Sequence, residues 1–274
     1  CGSEVHSPDI ALTAVQPQVV CGVGRAAAVD VTGAGFTPLP INTLAGRQAL
    51  ELPKVILALR TNADSTAGPG TEYAVYDGTD QNHVRWRSET AMSFDVYPGL
   101  VGSDLDNGGA YGDLPFGLYD VNVQNPDERR ATLPGSLAVV DAPHVSTVSP
   151  NAVCNVGSDP MFTISGQSFL QLNGELPLVI FHSLSGQGAD VQQTASSVQT
   201  CGSIAAPNGV MLLSCKELSV TVPRASLPSG SYAVSVKNPG GADCVSQEMG
   251  MPLEVTIVTA PTLTSVAPDR KSVV

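Results

Sequence analysis

The chain has 274 residues, of which 14% are charged and 5% aromatic, against 27 Gly and 21 Pro. So many backbone breakers argue against long helices and favour short strands joined by turns, while 42% hydrophobic residues suffice to bury a core. Thirteen Lys and Arg against 25 Asp and Glu leave a net charge of −12, which repels nucleic-acid phosphates and anionic lipid surfaces, and no apolar run reaches the length of a membrane span.

Residues 1–9, Cys1-Gly2-Ser3-Glu4-Val5-His6-Ser7-Pro8-Asp9, are polar and without strand periodicity. A first-position cysteine followed by such a tether resembles the mature end of a bacterial lipoprotein. The resemblance implies lipidation at Cys1 and anchoring at an outer membrane or cell surface, in a compartment where disulfides persist. The alternative is a cut that happens to fall at Cys1.

The next segment, residues 10–142, reads as one unit. Val15-Gln16-Pro17 is followed by Cys21, Gly24, Val29, Val31, Gly33 and Phe36, and Ala27, Val29 and Val31 alternate with small or polar residues. Period-2 alternation is the mark of a strand with one face in a core and the other in water. His83-Val84-Arg85-Trp86-Arg87 holds the only Trp, with Val84 and Trp86 on one face near Tyr73 and Tyr76. Trp86 between Arg85 and Arg87 could contact a partner or a sugar ring, but the favoured reading is a core Trp with its Arg neighbours on the outer face. Residues 101–113 gather Asp104, Asp106, Asn107 and Asp113 in a Gly-rich loop whose oxygens suit Ca²⁺. No Asp stands at the fifth position and no Glu closes the loop, so a solvated acidic loop is the favoured reading. No other cofactor is expected.

Residues 143–260 repeat the first unit. Val148-Ser149-Pro150, Cys154, Gly157, Phe162, Ile164, Gly166 and Phe169 match their counterparts at a constant offset of 133 residues, as Cys154 against Cys21 and Gly166 against Gly33 show. Glu51-Leu52-Pro53-x-Val55-Ile56 returns as Glu175-Leu176-Pro177-x-Val179-Ile180. Leu114-Pro115-x-Gly117-x-Tyr119-x-Val121-x-Val123-x-Asn125-Pro126 returns as Leu227-Pro228-x-Gly230-x-Tyr232-x-Val234-x-Val236-x-Asn238-Pro239, and Ala142-Pro143 as Ala260-Pro261. The chain is a tandem duplication of an antiparallel β-sandwich.

Within the second unit, Pro207-Asn208-Gly209 lies midway between Cys201 and Cys215, so a three-residue hairpin loop with Gly209 left-handed would set the two cysteines opposite each other. A bridge there closes a loop of about 15 residues and stabilises by roughly 3 kcal/mol in the chain-entropy model. Cys21 and Cys154 occupy equivalent first turns, and Cys244 follows Asn238-Pro239 in the last hairpin. Two pairings stay open: Cys21–Cys244 stapling the units, with Cys154 awaiting a third unit, or Cys154–Cys244 within the second unit.

The frame Val15, Pro17, Gly24, Val29, Val31, Gly33, Gly35, Phe36, reinforced by the late Leu-Pro-x-Gly-x-Tyr-x-Val-x-Val-x-Asn-Pro, resembles the IPT/TIG immunoglobulin-like domain. The second copy has Ser168 where the first has Gly35. The resemblance covers residues from about 10 to 260 and implies seven-stranded sandwiches in tandem, found in cell-surface proteins and some transcription factors; it implies no catalysis. Acidity argues against the DNA-binding branch.

Residues 262–274 open the motif a third time, with Val266 and Pro268 in the places of Val15 and Pro17. They are expected to begin a third repeat in a longer chain or to form a free strand that pairs elsewhere. His6, His83, His144 and His182 are scattered, and no nucleophile elbow, phosphate loop or metal-protease motif occurs. The expectation is therefore an all-β, non-enzymatic, lipid-anchored surface protein of two tandem immunoglobulin-like sandwiches. Its partners would be other surface proteins or copies of itself, with a cell-surface glycan binder as the alternative.

Overall fold

The computed structural model of the protein describes residues 9–21, 27–42, 48–62, 69–76, 83–96, 101–102, 111–112, 114–185, 189–240, 244–246, 253–260 and 262. The first unit comprises β1 (Ala11–Gln16), β2 (Val19–Cys21), β3 (Ala27–Ala34), β4 (Leu39–Asn42), β5 (Gln48–Glu51), β6 (Lys54–Asn62), β7 (Glu72–Tyr76), β8 (Val84–Ser88), β9 (Ala91–Val96), β10 (Val101–Gly102), β11 (Tyr111–Gly112), β12 (Gly117–Gln124) and β13 (Arg130–Val140). The second comprises β14 (His144–Ser149), β15 (Ala152–Cys154), β16 (Met161–Leu172), β17 (Leu178–Ser183), β18 (Val191–Thr194), β19 (Ser197–Ser203), β20 (Leu212–Thr221), β21 (Gly230–Lys237) and β22 (Glu254–Val258).

The first unit packs a sheet ordered β1-β3-β9-β8 against one ordered β2-β13-β12-β6-β7; the second packs β14-β16-β20-β19 against β15-β22-β21-β17-β18. The two orders are the same under the repeat, so the chain folds as two tandem immunoglobulin-like sandwiches. Register carries the equivalence to single residues. Cys21 lies beside Val140 in a parallel pair, and Cys154 lies beside Val258 in the corresponding one.

Each two-sheet sandwich has nine strands where the family resemblance implies seven. The two additions are β7 and β18 at one edge, and β2 and β15 at the other. Proline cannot donate to a ladder, so the first strand stops at Pro17 or Pro150, and the residues beyond cross to the opposite sheet. The Gln16–Pro17 and Ser149–Pro150 peptide bonds are both cis.

Alternation fills the cores. Ala27, Val29 and Val31 are fully buried on β3, while Ala28, Asp30 and Thr32 face outward. Around them Phe36, Phe94, Leu57 and Tyr119 close the first core; Phe162, Phe169, Phe181 and Ile164 close the second. Full burial of one such side chain stabilises by roughly 2–3 kcal/mol.

Three repeated motifs have direct structural meanings. The Tyr119 hydroxyl donates to the Pro115 carbonyl at 2.5 Å, and Tyr232 donates to Pro228 at 2.8 Å, so each Leu-Pro-x-Gly-x-Tyr run ties a tyrosine to its own entry turn. Burial raises the Tyr232 hydroxyl's pKa above its usual value. Asn125 donates to the Gly35 carbonyl at 2.7 Å and accepts from the Thr37 N–H; Asn238 donates to Ser168 at 2.7 Å and accepts from the Leu170 N–H. The clamped residue is left-handed in both units, with φ of 72° at Gly35 and 58° at Ser168, so the Asn of each Asn-Pro pair holds that turn.

Gly33 and Gly166 allow the third contact. A Cβ on Gly33 would overlap the Ala11 carbonyl oxygen, and one on Gly166 would overlap that of His144. Both neighbours are backbone of the adjacent strand and cannot turn aside. Gly166→Ala is therefore expected to destabilise the second unit by about 3 kcal/mol. Gly202→Ala, at a strand position with open space around it, is expected to change the thermal unfolding midpoint little. Equal midpoints for the two variants would contradict the close approach of β14 to β16.

Candidate functional site

The most built-up feature outside the two cores is the junction between the units. Unit one contributes Val19 and Cys21 from β2, Ala138 and Val140 from β13, and Ala142 from the linker. Unit two contributes Leu170 from β16, Leu212 from β20 and Cys244, and all eight are buried together. Cys21 and Cys244 are joined by a disulfide across a Cα separation of 5.5 Å. Of the two pairings left open by the sequence, the structure takes the one between units. Cys154, which the other pairing required, stands unbridged and exposed. The reason is placement: β15 carries Cys154 on the far side of the second unit, away from the junction that holds Cys244.

Asn238 organises the second unit's side of this contact. Its N–H donates to the Cys244 carbonyl at 2.9 Å, while its side chain accepts from Leu170 and donates to Ser168. One buried asparagine thus sets both the bridging cysteine, through its backbone N–H, and the apolar residue packed beside it, through its side chain. An open cleft of about 450 Å³ flanks the junction, lined on one side by Phe116, Val140 and Asp141 and on the other by Leu170, Ile204 and Ser214. Apolar side chains make up much of its lining, together with Thr61, Ser168, Ser203, Ser214 and Asp141.

Cys201 and Cys215 oppose each other directly in the β19–β20 ladder and are bridged, with Cα atoms 4.0 Å apart. Gly209 is left-handed at φ 79°, and the Val210 N–H closes a turn onto the Pro207 carbonyl at 3.0 Å. The hairpin loop is longer than the three residues expected, because β19 ends at Ser203 and β20 begins at Leu212. The chain between them is drawn into the junction, where Ile204, Ala206 and Val210 pack against its apolar cluster.

Trp86 packs against the first core, partly buried, and its indole N–H donates to the Phe36 carbonyl at 2.9 Å. Tyr73 packs on the same core and meets Tyr119 edge-on, with ring centroids 6.2 Å apart. Arg85 grips Asp95 with both arms of its guanidinium, one at 2.9 Å, and Arg87 pairs with Asp30 at 3.1 Å on the same outer face. The ring and both cations therefore have partners within the chain. Cys1, the side chain of Tyr76, and the loop carrying Asp104, Asp106, Asn107 and Asp113 lie outside the described residues, as do residues 263–274. Among the described residues, no group of three or more His, Cys, Asp or Glu could hold a metal ion.

One constellation escaped the sequence. His182 meets Asp190 through Nδ1 at 2.8 Å and Ser235 Oγ through Nε2 at 2.8 Å, the connectivity of a Ser-His-Asp triad. The residues lie 8 and 53 positions apart and carry no motif. The β17–β21 register, with Ile180 opposite Ser235 and Ala233 opposite His182, brings His182 to Ser235, and the β17–β18 pairing, with Phe181 opposite Val191, brings Asp190 to His182. Two features weigh against acyl transfer. Ser235 is only 4% exposed, which shields its oxygen from an incoming carbonyl, and the flanking amides are already taken, Val234 by the Leu253 carbonyl and Val236 by Ser246 Oγ. The array reads as a hydrogen-bond relay fixing the outer face of the sheet.

No family model matches the chain, and no curated protein matches it. Among solved structures, it is similar to the full extracellular region of plexin A4, with 12% identity and a TM-score of 0.34 over 82% of this chain and 14% of that one. This chain therefore spans about a seventh of that protein. Murine CEACAM1b is similar over 92% of this chain and 99% of its own, at 12% identity and a TM-score of 0.23. SGBP-B of a Bacteroides ovatus mixed-linkage glucan utilization locus, solved with a mixed-linkage heptasaccharide, is similar over 90% of this chain and 60% of its own, at 17% identity and a TM-score of 0.23. Likeness at these scores transfers no function.

A fluorophosphonate probe, which phosphonylates activated serines without regard to substrate, is expected to leave Ser235 unmodified by mass spectrometry. Stoichiometric labelling that disappears in His182→Ala would show that the relay is a working nucleophile.

Proposed function

We propose that this chain is a non-enzymatic, lipid-anchored cell-surface module of tandem IPT/TIG-like units, serving a structural, adhesive or assembly role through protein–protein contacts. The observation that carries the reading is the junction: a disulfide between units laid over a buried apolar cluster. Contacts between units of one chain are usually modest and polar, and relative motion is their default. A junction that is apolar, closed and covalently stapled fits a module whose task is to hold two recognition surfaces at a set separation.

Two disulfides fit an oxidising, extracytoplasmic compartment. The anchor rests on Cys1 and its polar tether. The IPT/TIG assignment rests on the repeated motifs and the roles that Gly35, Gly33, Tyr119 and Asn125 and their second-unit counterparts have in the turns. The acidic surface disfavours nucleic acid, and no cofactor is required. Trp86, the residue on which a glycan platform would depend, already spends its N–H on Phe36 and part of its face on the core.

Crosslinking on intact source cells, followed by mass spectrometry, is expected to capture a surface protein or a second copy of this chain. In parallel, titrating the protein with β-glucan oligosaccharides is expected to leave Trp86 fluorescence unchanged. A saturable fluorescence change together with recovery of the chain uncrosslinked would overturn the protein-contact reading in favour of a glycan binder.

A further inference from the structure

We infer that the exposed end of the second unit around Cys154 is a second junction, built to receive a third immunoglobulin-like unit of the same polypeptide and to be bridged to it through Cys154. The inference rests on the repeat and on what the first unit does with the same surface. Ala152–Cys154 pairs in parallel with Thr256–Val258 just as Val19–Cys21 pairs with Ala138–Val140, residue for residue. In the first unit this surface is buried by the next unit: Val19 is 4% exposed, Cys21 2% and Val140 6%. In the second unit Val258 is 40% exposed, Ala152 and Cys154 are exposed, and Val156 beyond them is 56% exposed. A strand end that is apolar, carries a cysteine, and is covered in one copy is uncovered in the other.

Neighbouring groups hold Cys154 in place without using its sulfur. Arg224 donates to the Cys154 carbonyl, and Asn155 donates its backbone N–H to the Val258 carbonyl at 2.8 Å. The Asn155 side chain donates to Ser229 Oγ at 2.9 Å and accepts from the Ala260 N–H at 3.3 Å, fixing the exit of the chain beside the cysteine. That exit, Ala260-Pro261, repeats Ala142-Pro143, and the next seven residues are again alike: His-Val-Ser-Thr-Val-Ser-Pro at 144–150 and Thr-Leu-Thr-Ser-Val-Ala-Pro at 262–268. The sequence that begins the covering unit at the first junction thus recurs at the same distance from the second. Charge permits the contact, since the junction-forming positions themselves carry none.

The thiol that would close the bridge belongs in the last hairpin of the third unit, in the position Cys244 holds in the second. Formation follows ordinary thiol chemistry. Each of the two Sγ–H groups loses its proton, one S–S bond forms, and the two electrons with two protons reduce a disulfide oxidant to its dithiol.

The test is non-reducing peptide mapping of the protein isolated from its source, alkylated under acid quench before denaturation. The expected result is a Cys154 peptide linked to a cysteine peptide that maps beyond Pro261, released as two masses on reduction. Cys154 recovered as the alkylated free thiol, or bridged to Cys1 or to Cys154 of a second copy, would overturn the inference. This proposal rests on the reading of the chain as a stapled multi-unit module, and the same map separates the two. Cys21–Cys244 found together with free Cys154 removes only the second junction, whereas loss of Cys21–Cys244 removes the reading itself. Cys154→Ser is expected to retain the Cys21–Cys244 and Cys201–Cys215 peptides unchanged, because Cys154 takes part in neither bridge.

Discussion

The constraint on which the rest of this molecule depends is the burial of one strand end, that of β2 and β13, against the hairpin end of the next unit. Val19, Val140 and Ala142 lose their water to Leu170 and Leu212, and Cys21 reaches Cys244 within the same patch. Three residues, Asp141, Ala142 and Pro143, separate β13 from β14. A linker this short, with proline fixing one of its torsions, leaves few orientations even before contact. The apolar cluster selects among them, and the bridge forbids separation. Each element alone would permit motion; together they are expected to hold the two sandwiches in one orientation.

The junction in turn relies on a clamp that exists for other reasons. In the first unit Asn125 holds the left-handed turn at Gly35 and accepts from the Thr37 N–H, as its repeat-mate holds the turn at Ser168 and accepts from Leu170. In the second unit the Asn238 side chain accepts from the Leu170 N–H while its backbone N–H donates to the Cys244 carbonyl, so the turn that ends one strand positions both the apolar and the covalent halves of the contact. Duplication supplied the clamp twice, and the second copy was extended by the Cys244 loop and by the long Ile204–Met211 segment that packs onto the same surface. The hairpin bridge Cys201–Cys215 sits at the root of that segment and ties it to β20. The two disulfides therefore serve one end: the first joins the units, and the second stiffens the loop against which they meet.

Much of this was legible in the sequence, for identifiable reasons. The alternation of Ala27, Val29 and Val31 reports burial on one face, and the constant offset of 133 residues transfers every such reading to the second unit. Symmetry about Asn208 located the Cys201–Cys215 pair because antiparallel register obeys simple arithmetic. Strand number was not legible, since Pro17 and Pro150 divert the chain to the opposite sheet and the diverted pieces are only three residues long. The partner of Cys244 was left open because pairing depends on which ends of two sandwiches meet, a matter of distance through space. The Ser235-His182-Asp190 array was invisible for a related reason: cross-strand neighbours have no fixed spacing along the chain. Asp104, Asp106, Asn107 and Asp113, for which the sequence favours a solvated acidic loop over a calcium site, lie outside the described residues.

The functional account reduces to one physical claim, that the two units behave as a single rigid body set by their junction. Residual dipolar couplings of backbone amides in dilute alignment medium measure this directly, because each unit reports its own alignment tensor. The account predicts tensors equal in magnitude and orientation for residues 11–140 and 144–258 in the oxidised protein. Tensors of clearly different magnitude in the oxidised protein would show that the units reorient independently, and would contradict it.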